Sequence, residues 1–197
     1  MPITLSLPLI LASASPRRKE LLRLAGLPFK VAPAQINEAG RGPETPQEHV
    51  RRLSLEKAQA VARENPASVV LGADTIVVID GAVLGKPESK KQAREMLQRL
   101  NNRSHTVFTG YTLSCVSAKI CRTGIARSCV RFKKMAPEEI DWYVGTKEPY
   151  DKAGGYAAQG RGAAFIRSIS GSYTNVIGLP LANVLDELKK LNILHYR

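Results

Sequence analysis

Acid is what this sequence is short of. Against 29 lysines and arginines stand 17 aspartates and glutamates, a formal net charge of +12, which points to anionic partners, either nucleic acid or phosphate-bearing ligands. Aromatics are also scarce, at 6% with a single tryptophan, and the basic pairs Arg51-Arg52, Lys90-Lys91, Lys133-Lys134 and Lys189-Lys190 are scattered along the chain. A nucleic-acid module gathers its cations on one face among stacking aromatics. No specific nucleic-acid partner is therefore expected, and most of these charges read as solvated surface. The three cysteines, Cys115, Cys121 and Cys129, have neither CxxC spacing nor a nearby histidine cluster, which argues against a disulfide framework and a zinc site. They read as reduced, buried, structural thiols in one strand-like stretch. His49, His105 and His195 are far apart, without metal-ligand spacing. No apolar run approaches the ~18–20 residues of a membrane span, and Met1 to Leu11 lacks a basic n-region and contains Pro2 and Pro8. Neither a membrane span nor a signal peptide is expected, and the default compartment is the cytoplasm.

What is present suits a folded α/β protein. With 44% apolar residues over 197 positions, the chain can build a core as one domain over 1–197, of ordinary size or as two small lobes. Strand-like and helix-like patterns alternate, as in a core sheet flanked by helices. "SLPLILAS" reads as a first buried strand; Ser15 can then cap a helix with Pro16 at its first position and Gly26 past its end. "PFKVAPAQ" reads as a second strand. "TPQEHVRRLSLEKAQAVAREN" carries a Thr45…Glu48 capping box with Pro46 at N1. A buried strand follows from Ser68 to Ile79, then a turn at Asp80-Gly81, a short return ending at Gly85-Lys86-Pro87, and a helix from Ser89 to about Leu100. "HTVFTGYTLSCVSAKI" and "GIARSCVRFKKM" resemble a long antiparallel pair, "PEEIDWYVG" a short helix and "PLANVLDELKKL" an amphipathic C-terminal helix.

Several residues sit where ordinary folding does not ask for them. "LASASPRRKELL" sets Arg17, Arg18 and Lys19 at the start of a helix, where the partial positive charge of the N-terminus disfavours cations. An anion is expected there, beside Ser13 and Ser15 at the strand-to-helix junction. Asp74 lies between Val69-Val70-Leu71 and Ile76-Val77-Val78-Ile79; a carboxylate so placed costs several kcal/mol unless it meets a cation, a metal or hydrogen-bond donors. Lys57 falls on the apolar stripe of its helix with Val50, Leu53 and Val61. Its ammonium is aimed inward, either snorkelling to a surface or meeting Asp74 or a phosphate. Glu38, in a polar stretch ending at Gly40-Arg41-Gly42, reads as a surface acid, or with Asp74 as half of a pair for a hard divalent cation. Lys86, and Asp151-Lys152 before Ala153-Gly154-Gly155, put charge on stretches with little room for regular structure, a composition shared by functional and merely solvated loops. Neither GxGxxG after a strand nor GxxxxGK[ST] occurs, so Rossmann and P-loop readings fall away.

Together "LASASPRRKELL", "INE", "LSLEKA", "GADTIV", "GKP", "HTVFTG", "EPYDKAGGYAAQGRGAAF" and "GSYTNVIGLPL" resemble the Maf family of nucleoside triphosphate pyrophosphatases over roughly Leu9 to Leu181. The resemblance implies an inosine-triphosphate-pyrophosphatase-like (Maf/Ham1) α/β fold, a mixed central sheet flanked by helices, with two lobes around a cleft. It implies hydrolysis of a nucleoside triphosphate to the monophosphate and pyrophosphate with a divalent metal, Mg or Mn. A homodimer and a link to cell-division arrest are compatible with it. By the same resemblance Asp74 is the proton acceptor and a metal ligand with Glu38, while Ser13, Arg18, Lys57 and Lys86 serve phosphate. Arg17, Thr75 and Gln159 are similar to the branch acting on dTTP and UTP; the 7-methyl-GTP branch typically has Trp, Gln and Glu there. Asn37 and Gly85, where relatives often carry acids, leave the number of metal ligands open. The rival reading, a nucleic-acid-binding regulator, does not account for carboxylates beside a phosphate site.

Overall fold

The computed structural model describes residues 3–38 and 42–196. Met1 and Pro2, at the head of the segment weighed as a leader, and Gly40 and Arg41, in the polar stretch after Glu38, lie outside the described residues. The elements run β1 (Ile3–Leu5), β2 (Leu9–Leu11), α1 (Pro16–Leu24), β3 (Lys30–Val31), α2 (Pro46–Glu64), β4 (Val69–Ile79), β5 (Ala82–Leu84), α3 (Lys90–Leu100) and β6 (Ser104–Cys115). They continue with β7 (Ile120–Phe132), α4 (Pro137–Val144), three 3-10 turns between residues 148 and 165, β8 (Ile166–Ser170), α5 (Tyr173–Ile177), α6 (Leu181–Lys190) and β9 (Leu194–Tyr196). No helix among the described residues is long and apolar enough to cross a membrane.

The main sheet has seven strands in the order β3-β2-β4-β6-β7-β8, with β5 paired to β4 off that path. It is mixed, as expected. β2 runs parallel to β3 and to β4, Ile10 standing opposite Lys30 and Val70, whereas β5 is antiparallel to β4 and β8 to β7. β6 and β7 are adjacent and joined by residues 116–119 alone, a link short enough to require the antiparallel pairing expected for them. β1 and β9 form a separate ribbon with Ile3 opposite Tyr196. The chain divides into two compact units, Met1–Asp74 with Thr109–Ala126 and Gly178–Arg197, and Thr75–Phe108 with Arg127–Ile177.

In the first unit α2 organises the packing. Its capping box forms as expected: the Glu48 N–H donates to Thr45 Oγ1 (3.2 Å) and the Thr45 N–H to Glu48 Oε2 (2.7 Å), with Pro46 in the first turn. Ala58, Val61 and Ala62 pack with Ile10, Ala12 and Val70. The helix lies so close to the sheet that a methyl group on Gly72 of β4 would stand 2.3 Å from the Ser54 carbonyl oxygen, and one on Gly110 of β6 would stand 2.2 Å from that of Val50. Only the absence of a side chain permits this approach. Hydroxyls link helix and sheet here, the buried Ser54 Oγ lying 3.0 Å from the buried Thr112 Oγ1, itself 3.0 Å from Oγ1 of the half-buried Thr123.

The second unit holds an aromatic cluster. His105, Phe132 and Tyr156 meet edge to face with centroids 4.8–5.3 Å apart, and Phe165 joins Phe132 to Tyr143. His105 is buried, with Nε2 at 2.7 Å from the Tyr156 hydroxyl and Nδ1 without a partner among the described residues.

Three expectations change. "PFKVAPAQ" yields two strand residues, because Pro28 and Pro33 bracket it and proline neither donates to a ladder nor lets its predecessor bend freely. Ser15 occupies the N-cap of α1 without using its side chain; Ser13 Oγ instead accepts the Ser15 N–H at 3.2 Å. Gly26 does end that helix, its N–H donating to the Arg23 carbonyl and that of Leu27 to Leu22, a paired C-terminal closure. The cysteines fall on two strands, and only Cys115 is buried: Cys121 is exposed and Cys129 half-buried, because β7 turns part of its length to solvent.

Burial lowers the pKa of His105 from 6.5 to about 4. The unfolded chain therefore takes a proton at a pH where the native one does not, so this group's contribution is intact above about pH 6.5 and is lost as pH falls toward 4. Urea unfolding from pH 7 to 4 should show a loss on the order of 3 kcal/mol from this group, absent in His105→Gln, which cannot take the proton but can still bond Tyr156.

Candidate active site

A lysine between two acids is the centre of the first unit's polar cluster. Side chains alternate along a strand, so Gly72 and Asp74 of β4 share the face on which α2 lies. Lys57, one helical turn beyond Ser54, therefore arrives above Asp74. Its Nζ lies 2.8 Å from Asp74 Oδ1 and 2.8 Å from Glu38 Oε1. Lys57 and Asp74 are each 8% exposed, whereas the Glu38 side chain is 61% exposed. The inward-aimed lysine is thus an ion-pair lysine and does not snorkel. Removing one member of such a buried pair strands the other, at a cost of about 3–5 kcal/mol.

The start of α1 completes the cluster. Arg18 donates from Nε to the Gly178 carbonyl (2.8 Å) and from its terminal nitrogen to Ser13 Oγ (3.0 Å), which fixes the guanidinium across the strand-to-helix junction. Ser13 is buried, and its oxygen receives both Arg18 and the Ser15 N–H. The first turn of α1 contains no acid. Desolvation pulls the pKa of Arg18 down; Asp74 and Glu38 oppose that pull, and Arg17 reinforces it. Arg17, Arg18 and Lys57 set three cations against two carboxylates, a surplus that favours a polyanion.

Thr75, Lys86 and Gln159 belong to the second unit. Thr75 follows Asp74 directly, so its side chain leaves β4 on the opposite face, together with Val77. The Gly-rich loop lies against Val77, and a methyl on Gly154 would stand 3.1 Å from it. The Gly154 N–H donates to the Gly85 carbonyl at 2.9 Å, which ties this loop to the turn carrying the exposed Lys86. Gln159 is exposed farther along the same loop. The Asp151 and Lys152 charges pair with each other, and Lys152 also donates to the Glu148 carbonyl at 2.9 Å.

Two residues of this unit were not singled out from the sequence. Glu148 accepts the Tyr143 hydroxyl (2.9 Å) and the N–H groups of Arg161 (3.0 Å) and Gly162 (2.9 Å), and the Tyr143 oxygen accepts the Ala157 N–H (3.0 Å). Burial opposes ionisation of Glu148, but the Gly162, Arg161 and Tyr143 donors and the Lys152 charge outweigh it and hold the carboxyl below its ordinary value. Only the acid's place in "EPYDKAGG" could have drawn notice, because two of its three partners are backbone groups 13 and 14 residues onward.

Among the described residues no three His, Cys, Asp or Glu side chains form a metal cluster. The donor set is two carboxylates, which matches the way Mg²⁺ binds, through one or two carboxylates with the rest of its shell taken from substrate phosphates and water.

The family model described as "Maf-like protein" matches residues 8–191. A dTTP/UTP pyrophosphatase of Syntrophus aciditrophicus (strain SB) is 55% identical over 188 residues, covering 95% of this chain and 92% of that protein. A dTTP/UTP pyrophosphatase of Symbiobacterium thermophilum is 51% identical over 180 residues, covering 91% and 92%. The solved structure of the Staphylococcus aureus Ham1 protein aligns over 64% of this chain and 71% of that one with a TM-score of 0.46 and 14% identity, too slight a likeness to bear on the fold.

The close approach of α2 generates a test. Gly72→Ala should push the helix off β4, destabilise the protein by about 1–3 kcal/mol as overpacking does, and lengthen the Lys57–Asp74 contact, as read by urea unfolding and a crystal structure. Gly85→Ala, where a methyl meets nothing within 4 Å, should stay within about 0.5 kcal/mol of wild type.

Proposed function

The chain belongs to the Maf family, and from that premise we propose that it hydrolyses dTTP and UTP to the nucleoside monophosphate and pyrophosphate. The observation that carries this reading is the Lys57 ammonium, buried and held 2.8 Å from both Asp74 and Glu38. Cations meant for a nucleic-acid backbone stand on an open face, whereas here the best-placed lysine is buried against Asp74 and also pairs with the exposed Glu38.

In the proposed reaction a water oxygen bonds to the α-phosphorus, the bond from that phosphorus to the bridging oxygen breaks, and pyrophosphate leaves. Asp74 accepts the water's proton. Lys57 holds the Asp74 carboxylate in place and, with Arg17, Arg18 and Lys86, offsets charge on the polyphosphate. Ser13 keeps Arg18 oriented for that task. Thr75 and Gln159 select the base, since a hydroxyl and an amide can each donate to and accept from a pyrimidine edge. A divalent cation, Mg²⁺ or Mn²⁺, would be held by Glu38 and Asp74, and when bound it supplies Lewis-acid polarisation of phosphoryl oxygens.

Three measurements test the reading. Across dTTP, UTP, ATP, GTP and 7-methyl-GTP, kcat/KM should be highest for the first two; a clear preference for 7-methyl-GTP refutes the base assignment and leaves the pyrophosphatase reading in place. Asp74→Asn should lower kcat by at least ~10², the scale of a positioned acid–base group, and wild-type turnover in the folded variant refutes its role. Chelation by EDTA should abolish turnover and added Mg²⁺ or Mn²⁺ restore it, whereas activity persisting in EDTA removes the metal from the scheme.

A further inference from the structure

The Gly-rich loop that carries Gln159 has no regular secondary structure from Tyr156 to Gly160, yet it is pinned on both sides of that residue. On one side the Ala157 N–H donates to the Tyr143 hydroxyl. On the other, the Arg161 and Gly162 N–H groups donate to the Glu148 carboxylate. The two anchors are a single device, because the Tyr143 hydroxyl donates onward to Glu148 Oε1. The loop is moulded on this acid: a methyl on Gly160 would stand 2.7 Å from Glu148 Oε2. Tyr143 is fully buried and stacks edge to face on Phe165 at 5.0 Å, while Glu148 begins a 3-10 turn whose Lys152 folds back onto the Glu148 carbonyl. The anchor is thus fixed on its own side by packing and hydrogen bonds. Gln159, exposed, lies between these anchored amides.

We propose that Glu148, acting through Tyr143 and the Arg161 and Gly162 amides, is the positioning residue that sets Gln159 for recognition of the substrate base. This rests on the proposed role of Gln159. A carboxylate suits the task because it accepts three donors without offering one of its own. The selecting amide therefore meets a pyrimidine edge on a loop that is already ordered, so binding carries less of an entropy loss.

A double-mutant cycle tests the assignment. Glu148→Gln keeps the size of the side chain and one acceptor oxygen but turns an NH₂ group toward the backbone donors. Each of Glu148→Gln and Gln159→Ala should lower kcat/KM for dTTP and UTP by roughly tenfold, through KM rather than kcat, the scale of one polar contact. The double variant should fall no further than Gln159→Ala alone. A double variant reduced ~100-fold, as the product of independent effects, or a Glu148→Gln defect confined to kcat, overturns the proposal. Amide exchange reads the clamp without substrate: exchange at Arg161 should quicken about tenfold or more in Glu148→Gln, and an unchanged rate also overturns it. If Glu148→Gln does not fold, Tyr143→Phe takes its place in the cycle, with exchange followed at Ala157. A wild-type enzyme with no preference for dTTP and UTP refutes the substrate reading alone, and the same cycle, run on the triphosphate cleaved best, then supports or overturns the role of Glu148.

Discussion

The contact on which the rest of the first unit depends is one of main chain against main chain. Where Gly72 and Gly110 leave β4 and β6 without side chains, the backbone of α2 settles onto the sheet at Ser54 and Val50. At this separation Lys57 reaches Asp74 directly, Nζ to Oδ1 at 2.8 Å. Both glycines are costly in a strand, which loses side-chain packing at each. That cost is offset by the small-residue packing of Ala58 and Ala62 and by the buried Ser54–Thr112 hydroxyl contact, which spans the helix and the sheet. The polar centre is thus an outcome of steric permission, and its electrostatics follow from that geometry.

The strongly basic composition takes on a different meaning once individual cations are placed. Arg52 is committed to Glu44, reaching it from Nε at 3.0 Å and from a terminal nitrogen at 2.6 Å, and with His49 it holds that carboxyl down to about 2. Arg103 pairs with Asp80 and Arg94 with Asp141. The last two pairs are exposed and contribute little to stability. The cations that matter are few and held by neutral groups as well as by acids: Arg18 by a carbonyl and a serine, Lys57 by two carboxylates. Net charge alone pointed to an anionic partner, nucleic acid or a phosphate-bearing ligand, without choosing between them or locating the site.

The reach of the sequence can be judged residue by residue. Lys57 was readable because helical periodicity gives a charged residue on an apolar stripe an unmistakable address, and Asp74 because a buried strand makes a carboxylate conspicuous. The capping box of α2 and the closure of α1 at Gly26 were readable because they are local. Glu148 and Tyr143 were not, since their work is to accept main-chain N–H groups, which leave no mark of side-chain identity. The β1–β9 ribbon escaped for another reason: its two strands are three residues each and joined by no turn, so only the folded chain brings Ile3 to Tyr196. The exposure of Cys121 escaped because β7 lacks a simple alternation to reveal which residues it turns outward.

The division of the chain falls at the peptide bond between Asp74 and Thr75, and consecutive strand residues point to opposite faces. With the roles proposed for them, the proton acceptor and a selector of the base are covalent neighbours whose side chains leave the strand on opposite faces. A change at position 75 meets the Gly-rich loop's side of β4, while Asp74 keeps its lysine on the other. With those roles, single substitutions at position 75 would sample new nucleotide preferences from one face of the strand while Asp74 stays paired with Lys57 on the other. Neither unit is a continuous stretch of chain, so exchanging whole modules between genes cannot achieve the same end.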